Sequence, residues 1–174
     1  IIPYYLDLLT ISLAENDFDN AEIYLHELKT RDKKFEINTL TPEAQILIGK
    51  GEFQKALSIL NRLKTRAPNS EVWFQIGTIY QRLEKFEDAK TAFEKAIEIE
   101  SDKAKFHQAL AAVLIRLNAY EEAAEYALTS IELVKYFPKA HYVLGLALEK
   151  LGDLENAKKA FETAASLTPK KHDR

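Results

Sequence analysis

Residues 69–101 read NSEVWFQIGTIYQRLEKFEDAKTAFEKAIEIES. Trp73, Ile76, Gly77 and Tyr80 recur at helical spacing, the pattern breaks at Glu84-Lys85, and Phe86, Ala89, Phe93 and Ala96 resume it. Two amphipathic helices joined by a tight turn are the simplest structure that puts these residues on shared faces. Moving the frame by 34 residues aligns Gly77 with Ala111 and Gly145, Ala89 with Ala123 and Ala157, and Ala96 with Ser130 and Ala164. The chain is therefore a run of repeated hairpins. Helices of roughly 13 residues cannot bury an apolar stripe alone, so neighbouring hairpins must stack.

The pattern W-x2-L-G-x2-Y followed by A-x3-F, at a period of 34, resembles the tetratricopeptide repeat. Trp73, Ile76 in place of Leu, Gly77, Tyr80, Ala89 and Phe93 carry the match. Five copies, at about 2–35, 36–69, 70–103, 104–137 and 138–171, cover residues 1–174 as one expected domain. The resemblance implies an all-α fold, a right-handed α-α superhelical solenoid whose concave side is lined by the first helix of each hairpin.

The balance of 24 Lys plus Arg against 27 Asp plus Glu gives a net charge of −3, which offers no global attraction for nucleic acid or an anionic membrane. Hydrophobic residues make up 47%, enough for a packed core. With no cysteine, disulfides, thiolate metal sites and a cysteine nucleophile are excluded. No apolar run approaches the roughly 20 residues that span a bilayer, so membrane insertion is not expected. The start IIPYYLDLL lacks the pattern of a signal peptide, and the chain contains no methionine. The expectation is an excised segment or processed product of a longer protein, with a cytoplasmic location favoured.

Along the chain, Pro3 suits a first helical turn, Asn16-Asp17 marks a turn, and Phe18, Ala21, Leu25 and Leu28 form a second helix. Leu9 and Ser12 stand where the third copy has Gly77 and Tyr80, so the first copy fits least well. Thr41-Pro42 is an expected helix start and Gly51-Glu52 an expected turn. Ala21, Ala56 and Ala89 are 35 and 33 apart, a slip absorbed in the connecting turns such as 66–69. In the fourth copy Ala127 replaces the aromatic of the second helix, and Tyr126 or Tyr136 is expected to fill its volume. Phe18, Phe53, Phe86, Tyr120 and Leu154, each just past a turn, are expected to act as wedges that fix how the second helix leaves the first.

First-helix residues not used in packing are the candidate binding surface. They are Phe74, Thr78, Gln81 and Arg82, with Gln75 beside them, in the third copy; Lys105, Gln108, Ala112 and Arg116 in the fourth; and Lys139, Tyr142, Leu146 and Lys150 in the fifth. This set is cationic and partly aromatic although the molecule is acidic. Fixed donors on stacked helices suit an extended or helical protein segment carrying Asp, Glu or a terminal carboxylate. The expected function is a non-enzymatic protein-interaction scaffold. One tetratricopeptide subclass clamps acidic chaperone tails with Lys, Asn and Arg; here the matching places hold Phe74, Thr78, Ala109, Lys139 and Val143, of which only Lys139 fits.

Catalytic chemistry finds little support. His107 and His141 replace Trp73 one repeat apart, too far for a shared metal ion, and are expected to pack. Asp19, Glu87-Asp88 and Glu121-Glu122 open second helices and are expected to serve as caps. No phosphate loop, His-x-x-x-His, EF-hand or Ser/His/Asp order occurs, so no cofactor or metal is expected. Two alternatives rest on further resemblances. Pentatricopeptide repeats, which bind RNA, have a similar period, but the Trp73 to Tyr80 pattern and the acidic charge oppose that reading. Residues 133–161 resemble repeats behind alkaline-phosphatase-superfamily phosphohydrolase domains, chiefly at Tyr136-Phe137-Pro138-Lys139-Ala140-His141, which would make the chain an accessory region of an enzyme. Apolar residues at both ends, including Tyr4 and Tyr5, lead to an expectation of self-association or contact with further sequence.

Overall fold

The computed structural model describes residues 2–31, 36–66 and 69–168. The described residues form ten helices and no strand. These are α1 (Ile2–Ala14), α2 (Phe18–Arg31), α3 (Glu36–Gly49), α4 (Phe53–Arg66), α5 (Ser70–Arg82), α6 (Phe86–Ile99), α7 (Ala104–Arg116), α8 (Tyr120–Leu133), α9 (Pro138–Lys150) and α10 (Leu154–Leu167). They gather into two compact units, Ile1–Ile79 and Tyr80–Arg174, with the division inside α5.

A single turn geometry recurs five times. Asn16, Gly51, Glu84, Asn118 and Gly152 each adopt a left-handed backbone conformation, with φ between 57° and 84°. Each is followed by a residue whose amide reaches back five positions, as in Asp17 N–H to the Ser12 carbonyl at 2.8 Å and Asp153 N–H to the Leu148 carbonyl at 2.9 Å. This arrangement satisfies carbonyls that a helix end otherwise leaves open, and reverses the chain in three residues. Gly51 and Gly152 enter the left-handed region without steric cost and Asn16 and Asn118 at little, whereas Glu84 carries a Cβ penalty. The buried Ala21, Ala56, Ala89, Ala123 and Ala157 then donate to the carbonyl four residues back, starting each second helix.

In the N-terminal unit, α1 packs on α2 and α3, and α3 on α4. Leu9, Ala21, Leu25, Leu28 and Ile46 form a core flanked by Tyr5, Leu6, Leu13, Phe18 and Tyr24. Lys50, at the end of α3, bonds Glu22 at 2.6 Å and Asp19 at 3.0 Å on α2, and these partners, Glu22 first, hold its ammonium above the ordinary range. The expected helix start at Thr41-Pro42 is corrected, because α3 begins at Glu36 and Pro42 lies inside it. Thr39 and Leu40, 2% and 4% exposed, anchor the turn ahead of Pro42, so burial outweighs the hydrogen bond that proline removes.

In the C-terminal unit, α7 contacts α6, α8 and α9, while α9 also contacts α8 and α10. Phe106, Leu110, Val113 and Leu114 on α7 are all but sealed from water. Ala111, Ala127 and Val143 meet across three helices, with Ile115, Tyr126 and Leu144 packed around them. Tyr126 therefore fills the volume left by Ala127, and burial, ahead of Glu94 and Glu122, raises its phenol above the ordinary range. Tyr136 does not share that task, being 72% exposed. The small columns permit close approach: a Cβ on Gly145 would sit 2.6 Å from Phe161 Cε1.

The expected wedges act on the next hairpin. The Phe18 ring lies over Gly49 at the end of α3, in the space a Cβ there would need. The Phe86 ring lies 4.5 Å from the guanidinium of Arg116, the last residue of α7. Leu154 in the same column has no following helix among the described residues and is 66% exposed. The expected caps also change. Acidic side chains do occupy first turns, but Lys85 and Ala119 at the N-caps make no side-chain cap bond. Asp17 and Asp153 cap instead, each accepting from the amide of the asparagine three residues on at 3.2 Å.

Candidate functional site

A concavity of about 730 Å³ in the C-terminal unit is built on α9 and α10, with Gln108 of α7 in its lining. One face of α9 supplies Lys139, Tyr142, Leu146 and Glu149, which fall three or four residues apart and so stand in a row. Phe161, Ala164 and Ala165 of α10, with Thr168 just past its end, form the opposite wall. Tyr142 and Phe161 meet with ring centroids 5.5 Å apart, and the Cδ1–Cε1 edge of Phe161 lies against Gly145. The row has an electrical order: Lys139 lies in the first turn of α9, where the helix dipole is positive, and Glu149 lies near its end. Between them the surface is aromatic and aliphatic.

His107 and His141 perform the same local task. His107 Nε2 lies 2.7 Å from the Ser101 carbonyl and His141 Nε2 lies 2.9 Å from the Lys135 carbonyl, each six residues upstream. The ring N–H ties the loop between hairpins to the first turn of the next helix. His107 is buried, with its ring 5.9 Å from Tyr126. Among the described residues no group of three or more His, Cys, Asp or Glu is placed to hold a metal ion. No helix among them is long and apolar enough to cross a membrane.

The sequence profile of the tetratricopeptide repeat matches residues 70–103 and 138–171, and the intervening helices repeat the same turn and packing. Residues 70–103 and 138–171 are tetratricopeptide repeats. The chain is 26% identical over 163 residues to a "BBSome complex member BBS4 homolog" from Drosophila melanogaster, a match covering 93% of this chain and 34% of that protein. The chain thus spans about a third of the length of this curated relative. Solved structures share the fold. A crystal structure of MamA superposes with TM-score 0.71 at 20% identity, covering 95% of this chain and 91% of that one. MamA from residue 41 to its end, from Desulfovibrio magneticus RS-1, superposes with TM-score 0.74 at 18% identity, covering 95% and 94%.

Along the run of hairpins the candidate residues are dispersed. Gln108, Lys139, Tyr142 and Leu146 line one concavity. Lys105 is exposed, with its ammonium 5.3 Å from the Phe106 ring. Arg116 covers Phe86, and Ala112 packs at the edge of the Ala111 cluster. Arg82 and Lys150 are exposed in the last turns of α5 and α9, and Gln81 is half-buried. Phe74 and Thr78 belong to the N-terminal unit, both half-buried, with the Thr78 hydroxyl donating to the Phe74 carbonyl at 2.9 Å. Gln75 is corrected from surface to interior, being 5% exposed with neither amide atom hydrogen-bonded. Glu149 and the α10 wall were not legible as site residues. Their signal is positional: Phe161, Ala164 and Thr168 stand 34 residues beyond Ala127, Ser130 and Val134 of the preceding hairpin.

Proposed function

We propose that the chain is a non-enzymatic protein-interaction scaffold that holds a short peptide or partner segment along α9, between Gln108 and α10. The ligand carries an acidic group at one end and apolar side chains behind it. The observation that carries this reading is the row Lys139, Tyr142, Leu146, Glu149 along one wall of the 730 Å³ concavity. A carboxylate beside Lys139 gains a charge-assisted bond and the positive end of α9. Tyr142 and Leu146 offer apolar contact on a pre-formed helix, which lowers the ordering cost of binding. Glu149 opposes a second acid at the far end and so sets the peptide's direction. Arg82, Lys105, Arg116 and Lys150 are assigned a lesser role, raising the positive potential that steers acidic segments into encounter.

Isothermal titration with an amphipathic acidic peptide tests the reading. Lys139→Glu and Tyr142→Ala are each expected to weaken binding roughly tenfold, about 1.4 kcal/mol. The Lys139 contribution should shrink as salt rises. Lys150→Glu, outside the concavity, should change affinity little. Binding indifferent to both Lys139→Glu and Tyr142→Ala would remove the site.

A further inference from the structure

Two loops in the C-terminal unit do the same backbone job with opposite side chains. The α6–α7 loop runs Glu100-Ser101-Asp102-Lys103, and 34 residues later the α8–α9 loop runs Val134-Lys135-Tyr136-Phe137. Each opens on an extended C-cap whose amide donates to the carbonyl four residues back at 3.0 Å, from Glu100 to Ala96 and from Val134 to Ser130. Each closes on an extended N-cap, Lys103 at φ −93°, ψ 100° and Phe137 at φ −110°, ψ 94°, and each is tied down by the histidine that follows. The backbone path therefore does not depend on which side chains lie between the caps. In the first loop Glu100 and Lys103 pair at 3.1 Å. In the second, Val134 is 47% and Tyr136 72% exposed, with Leu133 before them at 40%. Ile99, which holds the place of Leu133 one hairpin earlier, is 52% exposed, so the last turns of α6 and α8 share an exposed apolar position.

Exposed apolar side chains that the fold does not require gain free energy only against a further surface. The charge beside them says which. From Leu133 to Leu148 the chain carries Lys135 and Lys139 and no carboxylate, and the Lys135 ammonium lies 5.8 Å from the Tyr136 ring. The complement is therefore anionic. Nucleic acid matches poorly, since bases stack on rings and gain little from Leu133 and Val134. Protruding apolar side chains need a fitted pocket on a protein but none in a lipid interface, where tyrosine rings settle among the headgroups and lysines are drawn to anionic lipid. We infer that the 133–137 loop docks on an anionic bilayer surface, with Leu133, Val134 and Tyr136 in the interface and Lys135 and Lys139 on the headgroups. The contact is superficial, and no segment crosses. The net charge of −3 does not forbid it, because exposed charges more than about 8 Å away are largely screened at physiological salt. Glu132, the carboxylate next to the loop in sequence, opposes the contact. Lys135 and Tyr136 are not among the residues lining the α9/α10 concavity, so docking does not depend on the peptide site.

Co-sedimentation of the 174-residue chain with sucrose-loaded vesicles is the test, using phosphatidylcholine alone and phosphatidylcholine mixed with phosphatidylserine. Wild type should pellet with the mixed vesicles only, and less as salt rises. Lys135→Ala should weaken the partition about fivefold and Tyr136→Ser should also weaken it, while Glu132→Gln should strengthen it. All three positions are exposed, so helicity and thermal midpoint should not change. The chain has no cysteine, so a single Cys carrying an environment-sensitive dye reports where the lipid lies. The dye on Val134→Cys should shift to the blue with mixed vesicles. On Leu154→Cys, a 66% exposed apolar position beyond the opposite end of α9, it should not. Failure to pellet, or equal pelleting with phosphatidylcholine alone, would overturn the inference. Pelleting that Lys135→Ala and Tyr136→Ser leave unchanged, or an equal dye shift at both positions, would do the same.

Discussion

At the level of single residues, the five hairpin turns show local chemistry setting the repeat. Four of the five left-handed positions hold Gly or Asn, and the fifth holds Glu84 at φ 57°. Glu84→Gly should relieve the Cβ penalty and raise unfolding free energy by about 0.5–1 kcal/mol, the gain remaining after glycine's extra unfolded-state entropy. Urea titration of the variant beside wild type reads that difference. The paired caps make a second prediction. Asn156 donates its amide to Asp153 Oδ1 and its side-chain nitrogen to Oδ2 at 2.8 Å, and the same pair recurs at Asp17 and Asn20. The side-chain bond first and the backbone bond second lower both carboxyls below the ordinary range. A carboxyl lowered on folding contributes stability above its unfolded value, about 4, and loses it as pH falls through the folded value. Asp153→Asn keeps a capping oxygen but cannot titrate. Its thermal midpoint should therefore fall less than wild type's between about pH 4 and pH 2.

At the level of helices, one column of the repeat has unequal worth at its several positions. Phe86→Ala strips the ring beneath Arg116 and should cost about 3 kcal/mol, near the low end for a lost aromatic because the ring is only half-buried. Leu154→Ala, at a site 66% exposed, should stay within about 0.5 kcal/mol of wild type. Equal losses in chemical denaturation would refute the assignment of these residues to the following helix. This asymmetry marks the limit of what could be read from residue order. Turn positions, the Ala89, Ala123 and Ala157 column and the His107 and His141 substitutions were legible, because each is a short-range or strictly periodic signal. The start of α3 was not, since Pro42 is a strong local stop that buried Thr39 and Leu40 override through tertiary contact. The asparagine-bonded caps were hidden because acidic residues also stand in the first turns of α2, α6, α8 and α10, and only geometry tells which one reaches an amide. The α10 wall was equally hidden: Phe161 reads as core in any periodic alignment, and although it packs on Tyr142 and Gly145 of α9 it stays half-buried and lines the concavity.

For the molecule as a whole, stacking between neighbours implies that protection from solvent follows position along the array and not the intrinsic quality of each helix. By propensity α10, with four alanines in LENAKKAFETAASL, should hold as well as any. Among the described residues its one helix partner is α9, whereas α7 touches α6, α8 and α9 and contributes Phe106, Leu110, Val113 and Leu114 at 1% exposure or less. Opening α7 must expose all of those side chains, while α10 can fray by releasing one partner. Native-state hydrogen exchange should accordingly find the slowest amides in α7, at Leu110 to Leu114, and faster exchange through α10 despite its composition. If propensity governs instead, α10 will match α7 and the two will exchange in one cooperative step.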